Sequence, residues 1–150
     1  MQQVFYNLII RIALIAGLFS FGLTACVHNA SKDDSLFQSL GGEIGLDQLT
    51  VTTLQLARAE DRIAFHFQDI EDDEFLSELY MQLCSLSGGP CEYEGRDMID
   101  AHAGLGITKA EFDVFVEIFI EAMNKNAISF SAQNKLLSIL APMRPDIILQ

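Results

Sequence analysis

Positive charge is scarce in this chain: nine Lys and Arg stand against twenty-one Asp and Glu, a formal net charge of −12. A surface of that sign repels nucleic-acid phosphates and anionic lipid headgroups, which excludes nucleic acid and electrostatic membrane binding as functions. Yet no block of like charge is long enough to read as a disordered tail. The densest acidic stretch, Asp69 to Glu74, reads as a solvated loop. It is not a calcium loop, because the position that needs glycine holds Glu74 and the last ligand position holds Tyr80. Cys-x-x-Cys and His-x-x-x-His spacings are absent, so nothing supports a zinc-type site. Internal repeats and low-complexity segments are absent too.

What the chain does have is apolar residues, which make up 50% of its 150 positions, enough for one compact domain after a leader. From Ile12 to Ala25 the sequence is almost wholly apolar, but the run is shorter than the roughly 20 residues that span a bilayer. It reads as a secretory signal peptide over residues 1–25. Leu23-Thr24-Ala25-Cys26 resembles a bacterial lipobox, which makes Cys26 the lipidated first residue of the mature protein. Residues 26–34 are then a lipidated N-terminus and polar tether, and residues 35–150 one domain. This implies a protein of the bacterial cell envelope, lipid-anchored and facing the periplasm; Val27 favours the outer membrane over the inner. The alternative is an uncleaved anchor, since only Arg11 and the terminal amine supply a positive n-region. Cys84 and Cys91 bracket a stretch that must turn, Ser-Leu-Ser-Gly-Gly-Pro. Outside the cytoplasm two such neighbours pair as a disulfide; the alternative is two unrelated buried cysteines.

The domain reads as helical throughout. Ser35 caps a short helix through Leu40, ended by Gly41-Gly42. Glu43 to Ala57 reads as a second helix, although Thr50, Thr52 and Thr53 leave a strand open over Leu49 to Leu54. Arg62 to Ile70 is short and aromatic. Asp73 to Leu86 places Phe75, Leu76, Leu79, Leu83 and Leu86 on one helical face. Ser87 to Arg96 is loop, and Asp97 to Ala103 makes two turns at most. Thr108 and Glu111 have the spacing of a capping box, opening a helix to about Asn126. Ser131 caps a last helix to about Met143, frayed by Pro142 and Pro145. An irregular loop of this length in a small domain usually has a function.

Two glycine pairs bring in a family. Gly41-Gly42 follows the first helix and Gly88-Gly89 the helix that ends at Leu86; Tyr93, Gly95, Met98 and His102 come next, then Gly106-Ile107-Thr108, Phe112 and Leu140-Ala141-Pro142. In order and spacing the chain resembles a group 1 truncated haemoglobin. The resemblance implies an all-α, 2-on-2 helical sandwich that binds haem b and a diatomic gas, O2, NO or CO. Residue by residue, it makes His102 the proximal iron ligand, with Met98 one turn earlier on the same face. It implies haem packing by Phe67, Phe112 and Phe115, and by Leu136, Ile139 and Leu140 of the last helix. Arg96 falls at the rim, within reach of a haem propionate. The absence of Cys-x-x-Cys-His excludes the usual covalent c-type attachment.

One departure from the family matters. Where its members often carry a tyrosine and a glutamine that hydrogen-bond bound oxygen, this chain has Leu54 and Leu79. The far side of the pocket therefore reads as Leu54, Phe75 and Leu79, without a donor. That disfavours oxygen carriage and favours NO or CO binding, or NO or peroxide redox chemistry. The alternative function is a haem-free globin-fold envelope lipoprotein that serves as an interaction module, with Leu54 and Leu79 in an ordinary closed core. His66 reads as pointing to solvent, and His28 lies in the tether. No pattern names a redox partner.

Overall fold

The computed structural model describes residues 35–150, so the leader, Cys26 and the tether lie outside the described residues. Helix α1, Leu36–Ser39, is capped by the Ser35 side chain, which accepts from Gln38 N. Gly41 and Gly42 follow at φ of +94° and +63°, a left-handed pair that lets α2, Gly42–Ala59, leave at a sharp angle. The strand left open at Leu49 to Leu54 is helix instead. The threonine hydroxyls bond the backbone behind them: Thr50 to Asp47 O, Thr52 to Gln48 O and Thr53 to Leu49 O, at 2.7–2.9 Å. Such back-bonding satisfies a hydroxyl inside a helix, and packing then outweighs β propensity.

A short 3-10 turn, Ala64–Phe67, leads to α3, Asp72–Leu86. Next come the single-turn α4, Met98–His102, then α5, Lys109–Lys125, and α6, Phe130–Leu140. A 3-10 run, Ala141–Asp146, follows and contains the two prolines. The capping box at Thr108 and Glu111 is present. The cap of α6 is Ser129, whose hydroxyl accepts from Ala132 N, rather than Ser131. Among the described residues no helix is long and apolar enough to cross a membrane.

Helix α2 packs against both α3 and α5, and α1 against α2 and α6. The main core joins Leu46 and Leu49 of α2, Leu83 and Cys84 of α3, Phe119 and Met123 of α5, and Leu136 of α6. A smaller cluster of Ala57, Ile63, Val114 and Ile118 sits beneath the 3-10 turn. Leu136 is 0% exposed, so Leu136→Ala should cost about 2–5 kcal/mol in chemical denaturation. A loss below about 1 kcal/mol would mean that this site collapses without a cavity.

Candidate functional site

Arg58, near the end of α2, sets the position of the 3-10 turn. Its guanidinium donates to Phe67 O and Ile70 O, each at 3.0 Å, and pairs with Asp72 at 2.6 Å. The bond to Arg58 holds the Asp72 carboxyl below its usual pKa. One side chain thus ties α2, the turn and the start of α3, and carries Phe67 inward. Nothing in the sequence marks Arg58, because a lone arginine near a helix end is ordinarily solvated.

Inside this frame an apolar cleft of about 820 Å³ opens between α3, α4, α5 and the end of α6. That volume falls within the roughly 300–1,000 Å³ of cofactor and small-molecule sites. Its floor is aromatic. The Phe67 and Phe115 rings stack with centroids 6.0 Å apart, Phe119 continues the stack at 6.3 Å, and Phe75 meets Phe67 edge-on at 5.8 Å. Offset and edge-on geometries of this kind add to what burial alone provides.

His102 ends α4 and borders the cleft. Its Nδ1 lies 2.7 Å from Met98 O. A carbonyl only accepts, so this bond places the ring proton on Nδ1 and leaves the Nε2 lone pair free. A ligating histidine is ordinarily prepared in the same way, its second nitrogen donating to a backbone carbonyl. Asp97 caps α4 by accepting from Asp100 N at 2.8 Å, which fixes the turn that presents the imidazole. Among the described residues no group of three His, Cys, Asp or Glu side chains is placed to hold a bare metal ion.

Of the residues assigned by resemblance, His102, Met98, Phe67, Phe75, Leu79, Arg96, Phe112, Phe115 and Leu140 border the cleft. Leu54, Leu136 and Ile139 do not. Leu54 is 4% exposed and Leu136 0%, both turned into the interior; Ile139 is half-buried but outside the lining. The reason for α6 is its phase: Ala132, Gln133 and Leu136 face the core, so the cleft edge runs through Leu137 and Leu140. A closed core in place of a cleft would suit Leu54, but Leu79 borders open space.

The cleft surface is mostly apolar, but polar side chains stand among its lining. Gln82 is one turn beyond Leu79 on α3, and its Nε2 donates to Met98 Sδ at 3.4 Å. His66 is not turned to solvent: its side chain is 11% exposed, and Nε2 lies 3.6 Å from Glu111 Oε2 without a hydrogen bond. Glu111 Oε2 already accepts from Thr108 N and Oγ1, both at 2.8 Å. Those bonds hold the Glu111 carboxyl below its usual pKa, with His66 adding a smaller effect. At the mouth Arg96 faces Glu74 at 3.7 Å, and Arg144 pairs with Asp113 at 3.0 Å. Arg144, which no sequence pattern marks, also lies 5.2 Å above the Phe112 ring. The disulfide between Cys84 and Cys91 is formed.

Comparison with known proteins places this geometry. The sequence profile of the family described as bacterial-like globin matches residues 35–148. The chain is 22% identical over 118 residues to the group 1 truncated hemoglobin of Tetrahymena pyriformis, covering 79% of this chain and 98% of that protein. It is 21% identical over 113 residues to a group 1 truncated hemoglobin of Mycolicibacterium paratuberculosis, covering 75% and 83%. The crystal structure of the Tetrahymena pyriformis protein in its Fe(III) form superposes with a TM-score of 0.73, over 77% of this chain and 99% of that one, at 22% identity. The cyanomet 2/2 hemoglobin of Synechococcus sp., with covalently attached heme, superposes at 0.71, over 76% and 98%, at 21% identity.

Proposed function

This chain belongs to the bacterial-like globin family and folds as group 1 truncated globins do, and on that premise we propose that its cleft holds haem b and binds a diatomic gas. The observation that carries the reading is His102, whose Nδ1 is committed to Met98 O while Nε2 is left free at an apolar cleft. When bound, haem would supply an iron that takes up a diatomic gas.

The chain's own residues do the rest. His102 would hold the iron through Nε2, and Asp97 and Met98 O keep its ring in place. Phe67, Phe115 and Phe112 supply flat apolar surface and exclude water. Phe75 and Leu79 present no hydrogen-bond donor from α3, and Gln82 spends its amide on a thioether. Such a lining favours carbon monoxide and nitric oxide over oxygen, and suits nitric oxide redox chemistry. Arg96 and Arg144 stand at the mouth, where a propionate would compete with Glu74 and Asp113 for them. The test is spectroscopic. The reduced, haem-loaded protein should give a ferrous-carbonyl spectrum under carbon monoxide; an unchanged spectrum would remove gas binding.

We further propose that the domain is exported and lipid-anchored through Cys26, at the outer rather than the inner membrane. A formed Cys84–Cys91 bridge fits an oxidising compartment. Radiolabelled fatty acid should enter the wild type and not Cys26→Ser, and equal labelling of the two would sink the idea.

A further inference from the structure

The segment that carries His102 is weakly built. From Gly88 to Asp113 not one residue is buried, and of its apolar side chains only Cys91 packs against a core cluster. Besides the Arg144–Asp113 pair and a bond from Gly89 N to Cys84 O at 2.8 Å, a short set of ties holds it. On the far side of His102, Gly104 N and Gly106 N donate to Gln150 O at 3.1 and 3.3 Å, and Leu149 N donates to Ile107 O at 2.9 Å. On the near side, Arg96 meets Glu74 at 3.7 Å with both side chains more than 60% exposed, and an ion pair of that kind is worth little. Gln82 meets Met98 through sulfur, a weak acceptor.

The strong near-side tie is covalent. Cys84 is fully buried in α3, within the main core, and its bridge reaches Cys91 at the start of the segment. The packing around it is tight. A Cβ on Gly89 would stand 2.6 Å from Cys84 Sγ and 2.7 Å from Phe37 Cδ2, so only glycine passes here. Helix α3 also forms the opposite wall of the cleft through Phe75 and Leu79. The bridge therefore couples the two walls between which the cofactor would lie.

We propose that the Cys84–Cys91 disulfide positions His102, and that its reduction by a dithiol loosens the cleft and speeds loss of the cofactor. This inference rests on the haem reading above. The chemistry is thiol–disulfide exchange. A thiolate of the dithiol attacks Cys91 Sγ, the half-buried sulfur; the bond to Cys84 breaks, and Cys84 leaves as a thiolate that takes a proton. The second thiol of the reductant then attacks the mixed disulfide and frees Cys91 as a thiol. Two electrons and two protons reach the protein, and the reductant ends as a cyclic disulfide.

The experiment follows transfer of ferric haem from the loaded full chain to an excess of a haem-free acceptor globin, with and without dithiothreitol. Cys91→Ala leaves Cys84 as a small buried thiol and serves as the permanently open form. Transfer should quicken about tenfold on reduction of the wild type, the equivalent of roughly 1.4 kcal/mol. Cys91→Ala should be equally fast with or without the reductant, which separates the disulfide from any effect of dithiothreitol on iron. The iron–histidine stretching band of the ferrous protein should shift with the bridge open. A normal Soret band with unchanged transfer would overturn the proposal alone, as would faster transfer with an unmoved iron–histidine band, since the bridge would then be structural only. An oxidised wild type without any Soret band would remove the haem reading, and this inference with it.

Discussion

Replacing His102 by alanine should speed haem loss by more than roughly 100-fold, since even the groups that only orient a ligating histidine are worth about 10–100-fold in metal affinity. The change removes the one imidazole that borders the cleft with a free Nε2 and an anchored Nδ1. It leaves the apolar floor of Phe67, Phe115 and Phe119 intact. Some haem should therefore stay, loosely bound, and free imidazole added to the variant should restore much of the wild-type ferrous-carbonyl spectrum. The second imidazole at the cleft, His66, is turned toward Glu111 and cannot substitute without leaving its buried place. Unchanged haem loss and an unchanged carbonyl spectrum in His102→Ala would show the assignment to be wrong.

Leu79→Gln should slow oxygen release from the ferrous protein by roughly 10–100-fold. Dioxygen held at ferrous iron carries partial negative charge, and a hydrogen bond to a charged acceptor is worth about 1.5–3 kcal/mol. At about 1.4 kcal/mol per decade that gives the stated range. Leu79 is the position for the test because it borders the cleft, whereas Leu54 faces the interior at 4% exposure. A tyrosine at position 54 would first have to displace its neighbours. Carbon monoxide is less polar when bound, so its release should barely change. Equal slowing of both gases would point to a steric effect and contradict the argument. Slow oxygen release in the wild type would mean that a donor is already present, and Gln82 would have to give up Met98 to supply it.

The parts of this fold that were legible in the sequence are those set by local chemistry. Ser35, the left-handed glycine pair and the Thr108–Glu111 capping box mark helix ends through interactions that span a few residues. Met98 and His102 belong together because one helical turn separates them. The phase of a helix against its neighbours is a tertiary property and was harder to read. On α6 the cap lies at Ser129 rather than Ser131, and the cleft edge holds Leu137 and Leu140 while Leu136 is in the core. Periodicity finds the apolar face of α6 but does not divide it between core and cleft, because both accept leucine. Arg58 was illegible for a related reason: its partners are the backbone oxygens of Phe67 and Ile70, and backbone atoms leave no trace in the sequence. The threonines of α2 pointed toward strand until their hydroxyls were seen bonded along the helix.

The disulfide shows how a sequence-level pairing gains meaning from its place. A bridge over a short turn could have been a local staple. Here one end lies in the core and the other begins a segment without a buried residue that carries His102, the proposed iron ligand.

If the cleft is a haem site, protein prepared without haem should take it up in a titration with a fixed stoichiometry. A Soret band should grow to saturation at one haem per chain, with a ferrous-carbonyl form after reduction under carbon monoxide. A protein that stays colourless, or takes up haem without saturating, would contradict it.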